Sequence, residues 1–176
     1  FAKSYSRCAI LKNLHLIRFI ALCLFQYQLL MSQAILALSS DNGWSTHLRF
    51  VDKRRAHWVL QIMGSAMALT GSFLMIQSKN VHWNTYHGQF GKSLIFTSVS
   101  LVNGLASLYA YEWRRFLPGN FSKISHICFG VVAYAASCVS LCYGFDKGSF
   151  TNWATAPLAY SSMAFTSAFT FIALSV

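Results

Sequence analysis

The chain has 176 residues, of which 55% are hydrophobic and only 10% are charged. A soluble domain usually carries about 25% charged residues, so this chain has too little charge to cover a water-facing surface. The net charge of +10 would suit a nucleic-acid binder, but the basic residues lie between apolar blocks, as they do at the flanks of membrane helices. The four acidic residues, with no phosphate loop and no nucleophile triad, argue against a hydrolase.

The apolar residues form blocks of about 20, which is the length a helix needs to cross a bilayer. Because every backbone polar group must be satisfied within hydrocarbon, we expect these blocks to be helices. The sequence therefore predicts an all-α transmembrane helix bundle with five spans, at about Cys8–Leu38, His57–Ile76, Gly88–Tyr111, Ile124–Tyr143 and Trp153–Val176. The first of these is over-long, and its apolar core is nearer to Phe19–Leu38.

The loops between the predicted spans alternate in charge. Seven basic residues lie in the first and third loops: Arg49, Lys53, Arg54, Arg55, Arg114, Arg115 and Lys123. The second and fourth loops carry only Lys79 and Lys147. Because basic loops favour the cytoplasm, we expect the first and third loops to be cytoplasmic. Lys3, Arg7 and Lys12 would then lie on the other side, a disagreement that a further helix ahead of Phe1 would ease.

Three histidines, His57, His87 and His126, each stand at the start of a predicted span. Successive spans run in opposite directions, so His57 and His126 share the cytoplasmic side, while His87 lies on the other side with His15. Two imidazoles from facing helices are the axial ligands that a six-coordinate b-type haem needs. The placement predicts one haem layer at His57 and His126 and a second at His87. The alternative is that each histidine only anchors a helix end at the headgroup level.

Four motifs, taken together and in this order, resemble the cytochrome b561 family. Leu30–Leu36 is similar to the end of the family's second helix, and His57–Gln61, which follows three basic residues, is similar to the start of its third. His82–Gly88 resembles a family segment in which one histidine is followed, after four other residues, by a ligand histidine. Ser125-His126 looks like the ligand region of the family's fifth helix. The likeness extends from about Phe19 to the end, and is strongest to the short transmembrane reductases that consist of this domain alone.

The resemblance implies six helices, with two b haems in a four-helix core. It implies an enzyme that passes electrons from cytoplasmic ascorbate to monodehydroascorbate or ferric iron across the membrane. His57 and His126 would ligate the cytoplasmic haem, His87 the other haem, and His82 would lie by the non-cytoplasmic substrate site. The basic cluster Lys53, Arg54 and Arg55 would face ascorbate, although the same three residues also suit an ordinary cytoplasmic flank.

The chain departs from the family pattern in its first span. The family's first helix has no counterpart, so we interpret residues 1–176 as a single domain that lacks it. Phe19 falls where the second helix normally carries a haem ligand, and phenylalanine cannot bind iron. His15 lies one helical turn earlier and is the substitute we consider.

Two hypotheses follow from this departure. The first is a complete ascorbate-dependent reductase with two haems. The second is a degenerate member that has one haem or none and serves as a structural or assembly subunit of a membrane complex. Either would be a multi-pass protein of an endomembrane (endoplasmic reticulum or vesicle) or the plasma membrane, with a homodimer or a larger complex as its assembled form.

Overall fold

The computed structural model describes residues 23–77, 84–109 and 119–175, and all the regular secondary structure in these ranges is helical. The prediction of an all-α protein is thereby confirmed. The helices within these ranges are, in chain order, α1 (Phe25–Met31, wound as a π-helix), α2 (Ser32–Leu36), α3 (Phe50–Gln77), α4 (Tyr86–Phe90), α5 (Ser93–Leu108), α6 (Gly119–Phe145), α7 (Gly148–Ala154) and α8 (Ala156–Ser175).

Two helices in the described ranges are long and apolar enough to cross a membrane. They are Asn120–Phe145, which makes up nearly all of α6, and Ala156–Ser175, which is α8. The other predicted spans stay predictions. α3 has 28 residues, but its first turns carry Asp52 and three basic side chains, and α5 has only 16 residues.

Two of the predicted spans are interrupted where the sequence pattern suggested continuous helices. α4 ends at Phe90 and α5 begins at Ser93, so Lys92 lies in the turn between the two helices. Glycine is a weak helix former, and Gly91 marks this break. The fifth predicted span, Trp153–Val176, is broken at Thr155, whose φ of 69° takes it out of the helical region. α7 ends just before this residue and α8 begins just after it. Pro157 then lies in the first turn of α8, where proline is tolerated.

A buried tyrosine pair joins α1, α6 and α8. The rings of Tyr27 and Tyr134 stack with centroids 4.8 Å apart. The Tyr27 hydroxyl donates to the Tyr134 carbonyl at 3.1 Å and lies 2.8 Å from the Thr170 hydroxyl. The Tyr134 hydroxyl is hydrogen-bonded to Ser32. Since each hydroxyl has a partner, these polar groups can be buried without a large desolvation cost.

α5 and α6 approach closely along a seam of small polar side chains. Ser93, Thr97 and Ser100 are buried on the face of α5 that meets α6. The Ser93 hydroxyl lies 3.3 Å from that of Ser137, and the Asn103 amide donates to the Ser125 hydroxyl at 2.9 Å. Small residues allow helix backbones to approach, and their hydroxyls add interhelical hydrogen bonds. This seam fixes the depth of α6 against α5, and with it the position of the site described next.

Candidate functional site

His57 of α3 and His126 of α6 lie opposite each other inside the bundle. Their ring centroids are 6.1 Å apart and the ring planes are nearly perpendicular, at 88°. Both side chains are half-buried. The structure therefore brings together the two histidines that helix direction placed in one layer. That they bind a haem remains a prediction.

The His57 ring is held by the end of the preceding helix. Its Nδ1 lies 2.7 Å from the backbone carbonyl of Ala34 in α2. A carbonyl oxygen only accepts, so Nδ1 carries the ring hydrogen and donates it. Ala34 is fully buried, so this bond fixes the ring from within the bundle.

The His126 ring is held in the same way by α5. Its Nδ1 lies 2.8 Å from the backbone carbonyl of Ser100 and 3.2 Å from the hydroxyl of the same residue. The Ser100 hydroxyl also donates to the backbone carbonyl of His126 at 3.2 Å. Ser100 therefore forms hydrogen bonds with both the ring and the backbone of His126.

These two bonds set the tautomer of both histidines. With the hydrogen of each neutral ring on Nδ1, Nε2 carries the free lone pair that can bind a metal. A metal-binding histidine usually donates its other nitrogen to a carbonyl or carboxylate, which orients the ring and makes the ligand nitrogen more basic. The pair thus has the hydrogen bonding of two metal ligands, not of two solvated side chains.

Gly104 of α5 lies directly against the His126 ring. A Cβ placed at Gly104 would come within 3.0 Å of the His126 Cε1 and 3.1 Å of its Nδ1. Gly130 of α6 has a similar role, since a Cβ there would lie 3.2 Å from the Ser100 hydroxyl. The two glycines allow the close packing of α5 on α6 that the Ser100–His126 bonds require.

The centroid distance of the pair, 6.1 Å, matches that of two imidazoles on one metal, although ordinary ring contacts span the same range. A metal–nitrogen bond of about 2 Å and a further distance of about 1 Å to the ring centre place two such centroids about 6 Å apart. No cluster of three or more His, Cys, Asp or Glu side chains suited to a metal occurs in the part of the chain that the structure describes. Two protein ligands are too few for a structural zinc site but suffice for haem, whose macrocycle supplies the other four nitrogens. The donor set therefore fits haem.

The predicted basic cluster lies at the start of α3, at the same end of the bundle as His57. The Lys53 ammonium donates to the Ser39 carbonyl at 2.8 Å and so ties the loop before α3 to that helix. The Arg55 guanidinium pairs with Asp52 at 3.3 Å. The Arg54 side chain is exposed. The three basic residues thus have different surroundings: Arg54 and Arg55 are both exposed, and Arg55 is paired with Asp52.

His87 belongs to α4, and its side chain lies outside the described part of the structure. α4 packs on the far end of α6, where Tyr86 and Phe90 stack on Tyr143 with centroids 5.4 and 5.7 Å away. Tyr143 follows His126 by 17 residues in one helix, which is about 26 Å along the axis. α4 therefore lies at the opposite end of the bundle from the His57–His126 pair.

The remaining predicted site residues, His15 and His82, lie outside the described residues, as does Phe19. The structure adds groups that the sequence analysis did not single out. The Ala34 carbonyl has no sequence signal, because every residue has one. Ser100 and Gly104 had a signal, since with Ser93 and Thr97 they place small residues at helical spacing along one face of α5.

Comparisons with known proteins identify the family of the chain. The chain is 30% identical to the mouse transmembrane reductase CYB561D2 over 135 residues, which cover 74% of the chain and 59% of the relative. It is 30% identical to the human protein of the same name over 139 residues, covering 76% and 62%. The chain thus spans about three fifths of the length of these relatives. No solved structure matches it. The model of the eukaryotic cytochrome b561 family matches residues 19–151, and the chain therefore belongs to this family.

Proposed function

We propose that the protein is a transmembrane oxidoreductase that uses b-type haem. In this proposal it carries electrons from cytoplasmic ascorbate to monodehydroascorbate or ferric iron on the far side of the membrane. The observation that carries the proposal is the His57–His126 pair, with centroids 6.1 Å apart and each Nδ1 bonded to a backbone carbonyl. The relatives from mouse and human are named transmembrane reductases, which supports it.

The chain's own contribution is to hold the ligands and to set their basicity. A bound b haem would supply a one-electron couple between ferric and ferrous iron. The Ala34 and Ser100 carbonyls accept the Nδ1 hydrogens, so they orient both rings and make each Nε2 a better donor. The helices also shield the pair from water in part, since both side chains are half-buried.

At the cytoplasmic end, ascorbate would meet the basic cluster at the start of α3. Ascorbate is an anion at neutral pH, and clustered positive charge raises the local concentration of an anionic substrate. We expect the exposed Arg54 to make the first contact, with Arg55 beside it. We expect Lys53 to act mainly by fixing the loop through Ser39.

At the far end of the bundle we propose a second haem, with His87 as one ligand and His15 as the candidate for the other. His82 would lie by the acceptor site. The position of α4 at the opposite end of α6 supports two layers on opposite sides. The protein would act as one domain in an endomembrane or the plasma membrane, alone, as a homodimer or in a larger complex.

A second candidate function rests on Phe19, which occupies the position of a ligand in the family pattern. In that case the protein keeps at most the haem at His57 and His126 and serves as an assembly subunit. The haem-to-protein ratio of the purified protein, measured as the pyridine haemochrome, separates the two candidates. Two haems per chain contradict the subunit role. One haem or none contradicts complete transfer across the membrane.

A further inference from the structure

A stack of three aromatic rings joins the short helix α4 to the far end of α6. The ring of Tyr143 stacks on those of Tyr86 and Phe90, with centroids 5.4 and 5.7 Å away and interplanar angles of 25° and 18°. Offset stacking of this kind is favourable beyond the apolar area that it buries. The two α4 rings are four residues apart and share one face of that helix, so a single side chain of α6 contacts the whole face.

α4 has little else that would keep it folded and in place. It has five residues, whereas isolated helices shorter than about 12–15 residues are marginal in water. Its start is capped by Thr85, whose hydroxyl accepts a hydrogen bond from the Gly88 amide at 3.2 Å. Among the α4 residues whose side chains the structure describes, none is buried. The attachment of this part of α4 therefore depends on Tyr143.

The stack also fixes the rotation of α4 about its own axis. A helix turns by about 100° per residue, so residue 87 lies about 80° around the axis from the centre of the face that Tyr86 and Phe90 form. With that face docked on Tyr143, the position of residue 87 relative to α6 is set. If the face is released, α4 can rotate or move away, and residue 87 moves with it.

We propose that Tyr143 is a positioning residue for His87, because it docks the helix that carries this histidine onto the far end of α6. A metal ligand needs neighbouring contacts that hold it in a fixed place, and a five-residue helix cannot supply these alone. That His87 binds a haem rests on the proposed function, whereas the docking of α4 by Tyr143 does not.

The first test measures the docking of α4 without reference to haem. Hydrogen exchange of the full chain in detergent, followed by mass spectrometry of the peptide that contains α4, reports how often this helix opens. Tyr143→Leu keeps the apolar bulk but removes the ring and with it both ring pairs. We expect exchange in α4 to become about tenfold faster, including that of the Gln89 amide, which donates to the Thr85 carbonyl at 2.8 Å.

The second test follows the haem that is lost in His87→Ala. We expect Tyr143→Leu to convert part of its low-spin signal in electron paramagnetic resonance to a high-spin one, because the imidazole leaves the iron more often. The haem at His57 and His126 should keep its signal, which reports in the same sample that the bundle is folded. Tyr143→Phe retains the ring and should restore wild-type behaviour in both tests.

The matched control is Phe165→Leu, which removes a ring stack of similar geometry from another helix. Phe165 and Phe169 of α8 stack with centroids 6.0 Å apart and an interplanar angle of 21°. This variant should leave the exchange of α4 and both haem signals as they are in the wild type.

Two results overturn the proposal. One is α4 exchange in Tyr143→Leu that equals that of the wild type. The other is faster exchange with an unchanged His87 haem, or with both haems lost alike. A wild type in which His87→Ala removes no haem contradicts the second haem itself, and the positioning role falls with it. This last failure is distinguishable from the others, because it is seen in protein that retains Tyr143.

Discussion

Adding one methyl group at Gly104 should disturb the His126 ligand without removing any polar group. In Gly104→Ala the new Cβ would lie 3.0 Å from the His126 Cε1 and 3.1 Å from its Nδ1. Carbon atoms in favourable contact are about 3.5–4.0 Å apart. The ring must therefore move by about half an ångström, or α5 and α6 must separate.

Neither adjustment is easy at this position. The ring cannot move without stretching the 2.8 Å bond from its Nδ1 to the Ser100 carbonyl. The helices cannot separate without weakening the hydrogen bonds along their seam, such as that from Asn103 to Ser125. Overpacking of this kind costs about 1–3 kcal/mol. Alanine also favours a helix interior over glycine by about 1 kcal/mol. We therefore expect Gly104→Ala to be about 1–3 kcal/mol less stable than a helical glycine-to-alanine variant without this contact, and to hold less haem at the His57–His126 site.

The matched control is Gly71→Ala in α3. A Cβ at Gly71 would meet nothing within 4 Å, and alanine favours a helix interior over glycine by about 1 kcal/mol. Chemical unfolding followed by circular dichroism gives the stability of both variants, and absorbance gives the haem per chain. If Gly104→Ala is as stable and as rich in haem as Gly71→Ala, the close approach of α5 does not fix His126.

Three further substitutions test other parts of the site and the fold. Ser100→Ala should keep the haem, because the backbone carbonyl still holds the His126 ring. It should lower the free energy of unfolding by about 1 kcal/mol, and loss of the haem contradicts this expectation. Tyr27→Phe keeps the ring stack but removes the hydrogen bonds of the hydroxyl, including that to Thr170. It should lower the free energy of unfolding by about 1–2 kcal/mol, and an unchanged value means that the network does not form. Arg54→Gln should raise the KM for ascorbate about two- to fivefold at low salt with unchanged haem content; an unchanged KM removes Arg54 from the ascorbate site.

The pairing of His57 with His126 could be predicted because it depends only on helix direction. Each histidine begins a span, and the number of intervening spans decides which end of the bundle it occupies. That inference survives errors of several residues in the helix ends. The two histidines lie together although α3 begins seven residues before His57 and α6 begins seven residues before His126.

The groups that orient the two histidines could not be predicted in the same way. The carbonyl of Ala34 meets His57 only because α2 ends beside α3, a fact of tertiary packing with no residue type to signal it. The break at Gly91 was also missed, since the apolar pattern continues on both sides of it. Gly104 shows the intermediate case. Its helical spacing from Ser100 was visible in the sequence, but its contact with His126 depends on the depth at which α6 packs.

The central claim is that His57 and His126 hold the same haem. The most direct measurement is the low-spin haem signal of the purified protein, by absorbance and electron paramagnetic resonance, in His57→Ala, His126→Ala and His47→Ala. His47 is exposed in the loop before α3 and serves as the control. We predict that each of the first two substitutions removes the same low-spin haem and that His47→Ala keeps it. A low-spin signal that persists unchanged in either His57→Ala or His126→Ala contradicts the pairing.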